Sequence, residues 1–356
     1  MKTLSLVMIT KNEEAVLGRC LDSVKSLVKE IVIADTGSKD LTNEVAATYG
    51  AKVFECEWNQ HFAEARNFAI SKASGDWILV LDADEYISND CAAAISAFIN
   101  KGDAIGRIRR IDKFRSKDGV SYASSYISRL FPKHVRYQGR IHEQLDSSLP
   151  RVTLPVEVQH DGYFETTRSE RNIPLLLMEI EADPANPYYH YQIAKEYRGL
   201  EKHEAARQHL QTSSSLLTKR ELYYPNVIVD YLYAMMATKQ MEIGIQVINE
   251  NQQQLNDFPD FHFVRGQFYL DLLLQDTQRY IHLFPEIEKA YLECLRIGES
   301  NKYESVMGTG SYSALHNLAV FHEVTGNMNK ALDYYEQASH FSYAPSIERL
   351  AQLKRN

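Results

Sequence analysis

The sequence predicts an α/β domain built on a parallel sheet, followed by an all-α domain of stacked helix pairs. Short apolar runs at Leu4–Ile9, Glu30–Asp35, Lys52–Cys56 and Trp77–Leu81 alternate with segments of helical period. A strand, helix, strand, helix order implies a doubly wound, right-handed parallel sheet. The second observation is a change of pattern: from Thr166 onward strand signals give way to helical ones. A chain of 356 residues is long for one domain and suited to two. We expect domains at 1–165 and 166–356, with the Pro-rich break Asp183-Pro184-Ala185-Asn186-Pro187 as the sharpest boundary signal.

Leu4 to Ile9 reads as the first strand; it is short for a signal-peptide core and runs straight into Lys11-Asn12-Glu13-Glu14. Asn12 and the two glutamates open a helix through about Ser26 with Val16, Leu17, Leu21 and Val24 on its apolar face. Glu30–Asp35 is the second strand, Leu41–Tyr49 a helix, Lys52–Cys56 a strand and Phe62–Lys72 a helix. Trp77–Leu81, apolar throughout, reads as a central strand buried on both faces.

That run ends in Asp82-Ala83-Asp84-Glu85. Alternate residues of an extended segment point the same way, so Asp82 and Asp84 are expected to converge while Ala83 leaves room for a ligand. Two hard oxygen ligands at the mouth of a sheet suit Mg²⁺ or Mn²⁺, which keep positions for water and phosphate oxygens. The alternative is a carboxylate-capped helix start. Sheets of this kind bind ligands beyond the carboxyl ends of their strands, where Thr10, Asp35 and the Asp82/Asp84 pair all fall. Asp35-Thr36-Gly37-Ser38-Lys39-Asp40 is a tight turn in which Ser38 or Asp40 caps the next helix, while Asp35 can accept from a uracil N3–H or a ribose hydroxyl. Arg66, on a helix face of small residues, either reaches a diphosphate or base carbonyl or is simply solvated.

A formal net charge of -8 argues against sequence-independent nucleic-acid binding by the surface. The four cysteines, Cys20, Cys56, Cys91 and Cys294, lie far apart without C-x-x-C spacing. They read as reduced thiols and favour a cytoplasmic location over a zinc site or a disulfide frame. No segment approaches the roughly 20 apolar residues of a membrane helix.

Thr10-Lys11-Asn12-Glu13, Asp35 to Asp40, Phe62-x-x-Ala65-Arg66-Asn67 and Gly75-Asp76 through Glu85, in this order and spacing, resemble the family-2 glycosyltransferases with a GT-A fold. The resemblance implies that Thr10, Glu13, Asp35, Arg66, Asp82 and Ala83 contact a UDP-sugar. It also implies that Asp82 and Asp84 hold Mn²⁺ or Mg²⁺ with the diphosphate.

After a helix at Asn89–Asn100, Ile105–Ile111 alternates as a strand, with Arg107 and Arg109 either steadying a leaving group or lining a solvated edge. Tyr126–Pro132 is a further strand. Tyr137–Leu145 places His142-Glu143 after Gly139. Inverting sugar transfer needs a base near the acceptor, which makes Glu143 the candidate base and His142 its neighbour; the alternative is an ordinary helix start. Gly139-x-Ile141-His142-Glu143 is also similar to a segment of family-2 members that carry helical repeats. Val152–Tyr163 alternates as a strand that ends in His160. The GT-A resemblance implies that His160 is a third metal ligand, against a hydrogen-bonded core histidine.

In the second half, Asn172–Ala182 is helical, and Tyr189–Tyr197 with Glu204–Leu210 forms a helix pair. Leu315, Ala319, His322, Gly326, Ala331, Tyr335 and Ala338 fall at the spacings of the tetratricopeptide (TPR) repeat. We expect about three or four pairs, stacked because one repeat cannot bury its own apolar face, with a concave surface of the kind that commonly holds a peptide. Tyr188, Tyr189, Tyr191, Tyr197, Tyr223 and Tyr224 read as core packing or as acceptor contacts.

The expectation is therefore a metal-dependent, inverting glycosyltransferase that moves a sugar from a UDP-sugar to a peptide or protein acceptor docked on the repeats. It includes no nucleic acid and no membrane span, and leaves a homodimer open. A family-2 domain with such a tail resembles the sublancin-type S-glycosyltransferases that modify peptide bacteriocins, and others that build cell-surface polysaccharide. A nucleotidyltransferase would need a glycine-rich basic loop that Thr10-Lys11-Asn12-Glu13-Glu14 lacks. A non-catalytic repeat scaffold with a vestigial nucleotide-sugar domain sits poorly with intact Asp35, Arg66, Asp82 and Asp84.

Overall fold

The computed structural model describes residues 2–116, 119–161, 168–300 and 302–355. It divides into two compact units, Met1–Arg115 with Ser124–Pro184, and Ser116–Ala123 with Ala185–Asn356.

The first unit opens as the alternating pattern predicts: β1 (Leu4–Thr10), α1 (Leu17–Val24), β2 (Glu30–Asp35), α2 (Thr42–Thr48), β3 (Lys52–Glu55), α3 (Phe62–Lys72) and β4 (Trp77–Val80). These strands pair in parallel in the order β3-β2-β1-β4. There follow β5 (Glu85–Ile87), α4 (Ala92–Lys101), β6 (Ile105–Ser116), β7 (Gly119–Pro132), β8 (Arg136–Gln138), β9 (Gln144–Asp146), β10 (Arg151–His160) and α5 (Ser169–Ala182). Here the wholly parallel expectation fails. The sheet continues β4-β7-β6-β10-β5, with β7 antiparallel to β4 and β5 antiparallel to β10. The link from β6 to β7 is too short for a helical crossover, so the sheet becomes mixed at β7. Because β6 lies between β7 and β10, Arg107 and Arg109 do not line a sheet edge; they donate to the Tyr126 carbonyl (3.2 Å) and the Ser124 hydroxyl (3.0 Å).

Period-two alternation sorts the strands' side chains onto two apolar layers. Leu4, Leu6, Met8, Trp77 and Leu79 pack with α1 and α4, while Val7, Val32, Ile78 and Val80 pack with Ala63, Ala69 and Ile70 of α3. Three boundaries move for local reasons. Asn12 has a left-handed φ of 57°, so α1 starts only at Leu17. Asn89 spends its amide on Pro155 O and Glu157 N, in an extended bridge to β10, so α4 starts at Ala92. The His142-Glu143 segment is no helix start: it links β8 to β9, with Gly139 and His142 at positive φ. Gly162, Tyr163 and the 165/166 division lie outside the described residues.

The second unit is a TPR-like stack: α6 (Pro187–Gly199), α7 (His203–Leu216), α8 (Tyr224–Ala237), α9 (Met241–Asn251), α10 (Pro259–Gln275), the short α11 (Thr277–Tyr280), α12 (Phe284–Ile297), α13 (Tyr312–Val324), α14 (Met328–Ser339) and α15 (Ala344–Leu353). Helices pair as α6/α7, α8/α9, α10/α12 and α13/α14. The break at Pro184–Pro187 works as a start signal, since Asn186 Oδ1 accepts from the Tyr188 N–H and Pro187 takes the first helical position. Gly326 turns α13 into α14 at φ 81°, and Ala319 and Ala331 are fully buried where those helices meet. Val227, Leu232, Met235, Phe261, Phe268 and Leu272 form the main core, to which Tyr191 and Tyr224 also belong. Among the described residues one strand interrupts the all-α expectation: β11 (Ser305–Val306), beside which Met307 N–H donates to Tyr122 O at 2.8 Å.

Candidate active site

Strand register assembles the site. Thr10 and Asp35 are direct partners at the ends of β1 and β2, and His160 lies between Asp112 on β6 and Glu85 on β5. Arg129 comes one step beyond the Leu79–Leu130 pair of β4 and β7. Asp82 and Asp84 do not sit on an extended strand as expected. They occupy a tight turn, closed by Glu85 N–H donating to Asp82 O at 3.0 Å, and the two carboxylates therefore face different partners. Nor does the segment cap a helix, since β5 follows. The Ala83 side chain packs into the apolar layer under the turn, so it opens no room for a ligand.

Asp82 is held by arginines. Arg66 Nη2 donates to its Oδ1 at 2.7 Å and Arg129 Nη2 to its Oδ2 at 2.8 Å. Burial opposes the charge, yet Arg129 and then Arg66 keep this carboxyl well below the usual range. Glu85, fully buried, completes a ring: its Oε2 accepts from the Asp82 N–H at 2.9 Å and its Oε1 from Arg129 at 3.1 Å. Arg66 also donates through Nε to Glu143 Oε1, so one guanidinium joins the turn after β4 to the loop after β8. The neighbouring Asn67 fixes that second partner's approach by bonding the Tyr137 backbone in both directions, at 2.8 and 2.9 Å.

Asp84 faces the other way. Its Oδ2 accepts from Arg168 Nη2 at 2.8 Å and lies 3.6 Å from His160 Nε2. His160 Nδ1 sits 2.6 Å from Asp112 Oδ1, and Arg110 pairs in turn with Asp112. Burial works against a charged imidazole, but the bonds to Asp112 and then Asp84 push His160 up to about 9. A histidine whose far nitrogen is tied to a carboxylate is oriented as metal-bound histidines are, and Asp84 with His160 offers the oxygen and nitrogen donors that Mn²⁺ accepts. These two residues fit a divalent cation once Asp84 leaves Arg168, whereas both Asp82 oxygens are engaged by Arg66 and Arg129. Among the described residues no ready-made group of three ligands is present. Glu13 adds a third carboxylate to the field: burial, then the charge of Asp84, push it up to about 7, with Arg168 opposing.

Asp35 serves its own turn. Its Oδ1 accepts from the Gly37 and Ser38 N–H groups at 3.0 and 2.9 Å, and its Oδ2 from the Ser38 and Thr10 hydroxyls. Asn12 stitches the same turn to the end of β1 by accepting from Lys39 N–H at 2.8 Å. His142 is placed beside Glu143 by the β8–β9 link. Sequence reasoning missed Glu85, Asp112, Arg129 and Arg168. The available signals were charges set in apolar runs, as in Ile127-Ser128-Arg129-Leu130-Phe131 and Ile111-Asp112.

Carboxylates, arginines and a histidine thus gather near the strand ends of a mixed α/β sheet. Residues 5–149 match the family model described as glycosyl transferase family 2. It is 39% identical over 151 residues to a TPR repeat-containing protein of Synechococcus elongatus, covering 42% of this chain and 37% of that one. It is 29% identical over 234 residues to the SPbeta prophage-derived glycosyltransferase SunS of Bacillus subtilis, covering 59% and 53% respectively. The chain thus spans about half or less of the length of these curated relatives. Among solved structures it is similar to MamA, at 15% identity and a TM-score of 0.38 over 52% of this chain and 91% of that one. No helix of the described residues is long and apolar enough to cross a membrane.

Proposed function

We propose that this chain is a metal-dependent, inverting glycosyltransferase that takes a sugar from a UDP-sugar and delivers it to a peptide or protein. The observation that carries the reading is the Arg66 bridge between Asp82 and Glu143. One cation holds a donor-side carboxylate and a candidate base together, inside a domain that matches a glycosyltransferase family. In this reading Thr10, Glu13 and Asp35 flank the nucleotide, and Asp82 with Arg66 faces the donor, Ala83 contributing backbone alone. Glu143 takes the acceptor's proton as the new bond forms, with His142 beside it. Asp84 and His160 are the arms for Mn²⁺ or Mg²⁺, which when bound would neutralise the diphosphate leaving group. Release of Asp84 from Arg168 opens that seat. The peptide acceptor is supported by the TPR-like stack, a form whose surfaces commonly hold peptides.

Incubating the full chain with UDP-sugars, Mn²⁺ and candidate peptides should release UDP in step with peptide modification. UDP release with a polysaccharide acceptor alone would move the reading to surface glycans. A folded chain that releases no UDP from any donor and binds no UDP would leave a repeat scaffold with a vestigial sugar-nucleotide domain.

A further inference from the structure

Arg66 Nη1 and Tyr137 Oη are buried and, among the described residues, have no hydrogen-bond partner. The two residues are 5% and 7% exposed, so water outside the fold does not satisfy these donors. Buried polar groups left unpaired carry an uncompensated desolvation penalty, and folded proteins keep few of them. The pair is adjacent: the Arg66 guanidinium carbon lies 5.7 Å from the Tyr137 ring centroid. Both are locked. Arg66 is fixed by Asp82 and Glu143, while Tyr137 is clamped by Asn67 through its backbone and rests edge-on against Phe131 at 5.6 Å. Arg66 cannot turn to find another acceptor without breaking its bonds to Asp82 and Glu143.

The surrounding charge says which oxygen fits. Asp82, Glu85 and Glu143 outnumber Arg66 and Arg129, and Arg110 is matched by Asp112. A further full negative charge is repelled there. A neutral hydroxyl accepts from Arg66 and Tyr137 and donates to Asp82 or Glu143, which uses every group at hand.

Resting on the UDP-sugar reading, we propose that Tyr137 is a specificity-determining residue whose hydroxyl, with Arg66 Nη1, donates to a hydroxyl oxygen of the donor sugar. The test is calorimetric titration of the full chain and of Tyr137→Phe with UDP and with UDP-glucose, UDP-galactose and UDP-N-acetylglucosamine, Mn²⁺ present, alongside melting temperatures. Tyr137→Phe should bind UDP as the parent does, bind the preferred UDP-sugar about tenfold more weakly, and melt no lower. Equal loss for UDP and UDP-sugar would overturn the proposal, because the contact is then to the diphosphate. So would unchanged affinities with a lower melting temperature, the mark of a structural hydrogen bond to buried water, and so would a parent that binds UDP-sugars no more tightly than UDP. A parent that binds no uridine nucleotide at all sinks the donor reading itself.

Discussion

A cation arriving at Asp84 meets a carboxylate already bonded to Arg168 and a histidine braced by Asp112. Metal affinity should therefore depend on the brace as well as on the ligands. Asp112→Asn, which leaves both Asp84 and His160 in place, should weaken Mn²⁺ binding about 10–100-fold, and Asp84→Asn or His160→Ala should weaken it at least as much. Direct Mn²⁺ titration checks both, and an Asp112→Asn chain with parental affinity would remove the brace from the site. Glu143→Gln should lower kcat by about 10²–10⁴-fold while UDP binding persists, as removal of a general base does. At this scale the sequence was legible where chemistry follows residue type: the carboxylates after β4, Arg66 and His160 do gather at strand ends. It was not legible where partners come from distant strands. Arg129 and Glu85 are 44 positions apart, and nothing local in Ile127–Phe131 says that the arginine turns inward to Asp82. The convergence of Asp82 with Asp84 failed for a related reason: the period-two argument holds only while the chain stays extended, and it turns after Leu81.

Elements in the helical unit interlock through glycines. A Cβ added at Gly266 in α10 would lie 2.8 Å from the Tyr291 ring of α12, which is 2% exposed and has nowhere to move. Gly266→Ala should cost about 1–3 kcal/mol, read as a lower denaturation midpoint at unchanged slope. Asp260 in α10 ties down the link before α13 by accepting from the Ser305 and Thr309 hydroxyls, each at 2.6 Å, and from the Val306 N–H at 2.9 Å. Burial pushes its carboxyl up to about 6 despite these bonds. A raised folded value means that folding favours the protonated form, so this group's contribution is complete below its ordinary 3.8 and is lost as pH rises through about 6. The parent should lose up to about 3 kcal/mol over that window relative to Asp260→Asn. Equal pH slopes for the two proteins would contradict it. The strands of the parallel half and the outer helix pairs were readable because their periodicity is strong. The mixed sheet was not, since a hairpin and a crossover leave the same alternation within each strand and differ only in the link between them.

For the whole molecule, composition and the change of periodicity foretold a sheet unit and a helical-repeat unit. They did not foretell that Ser116–Ala123, from the end of β6 to the start of β7, clusters with the helices. Within that grouping the Met307 N–H donates to Tyr122 O, a contact between residues 185 positions apart in the chain. In the proposed function, Asp84 and His160 make uridine-nucleotide binding depend on a divalent cation. The direct measurement is calorimetric titration of the intact chain with UDP, with and without Mn²⁺, repeated on Asp84→Asn. Binding that needs Mn²⁺ in the parent and is lost in Asp84→Asn is the predicted result; UDP binding that is equal with and without the metal, or absent in both, would contradict it.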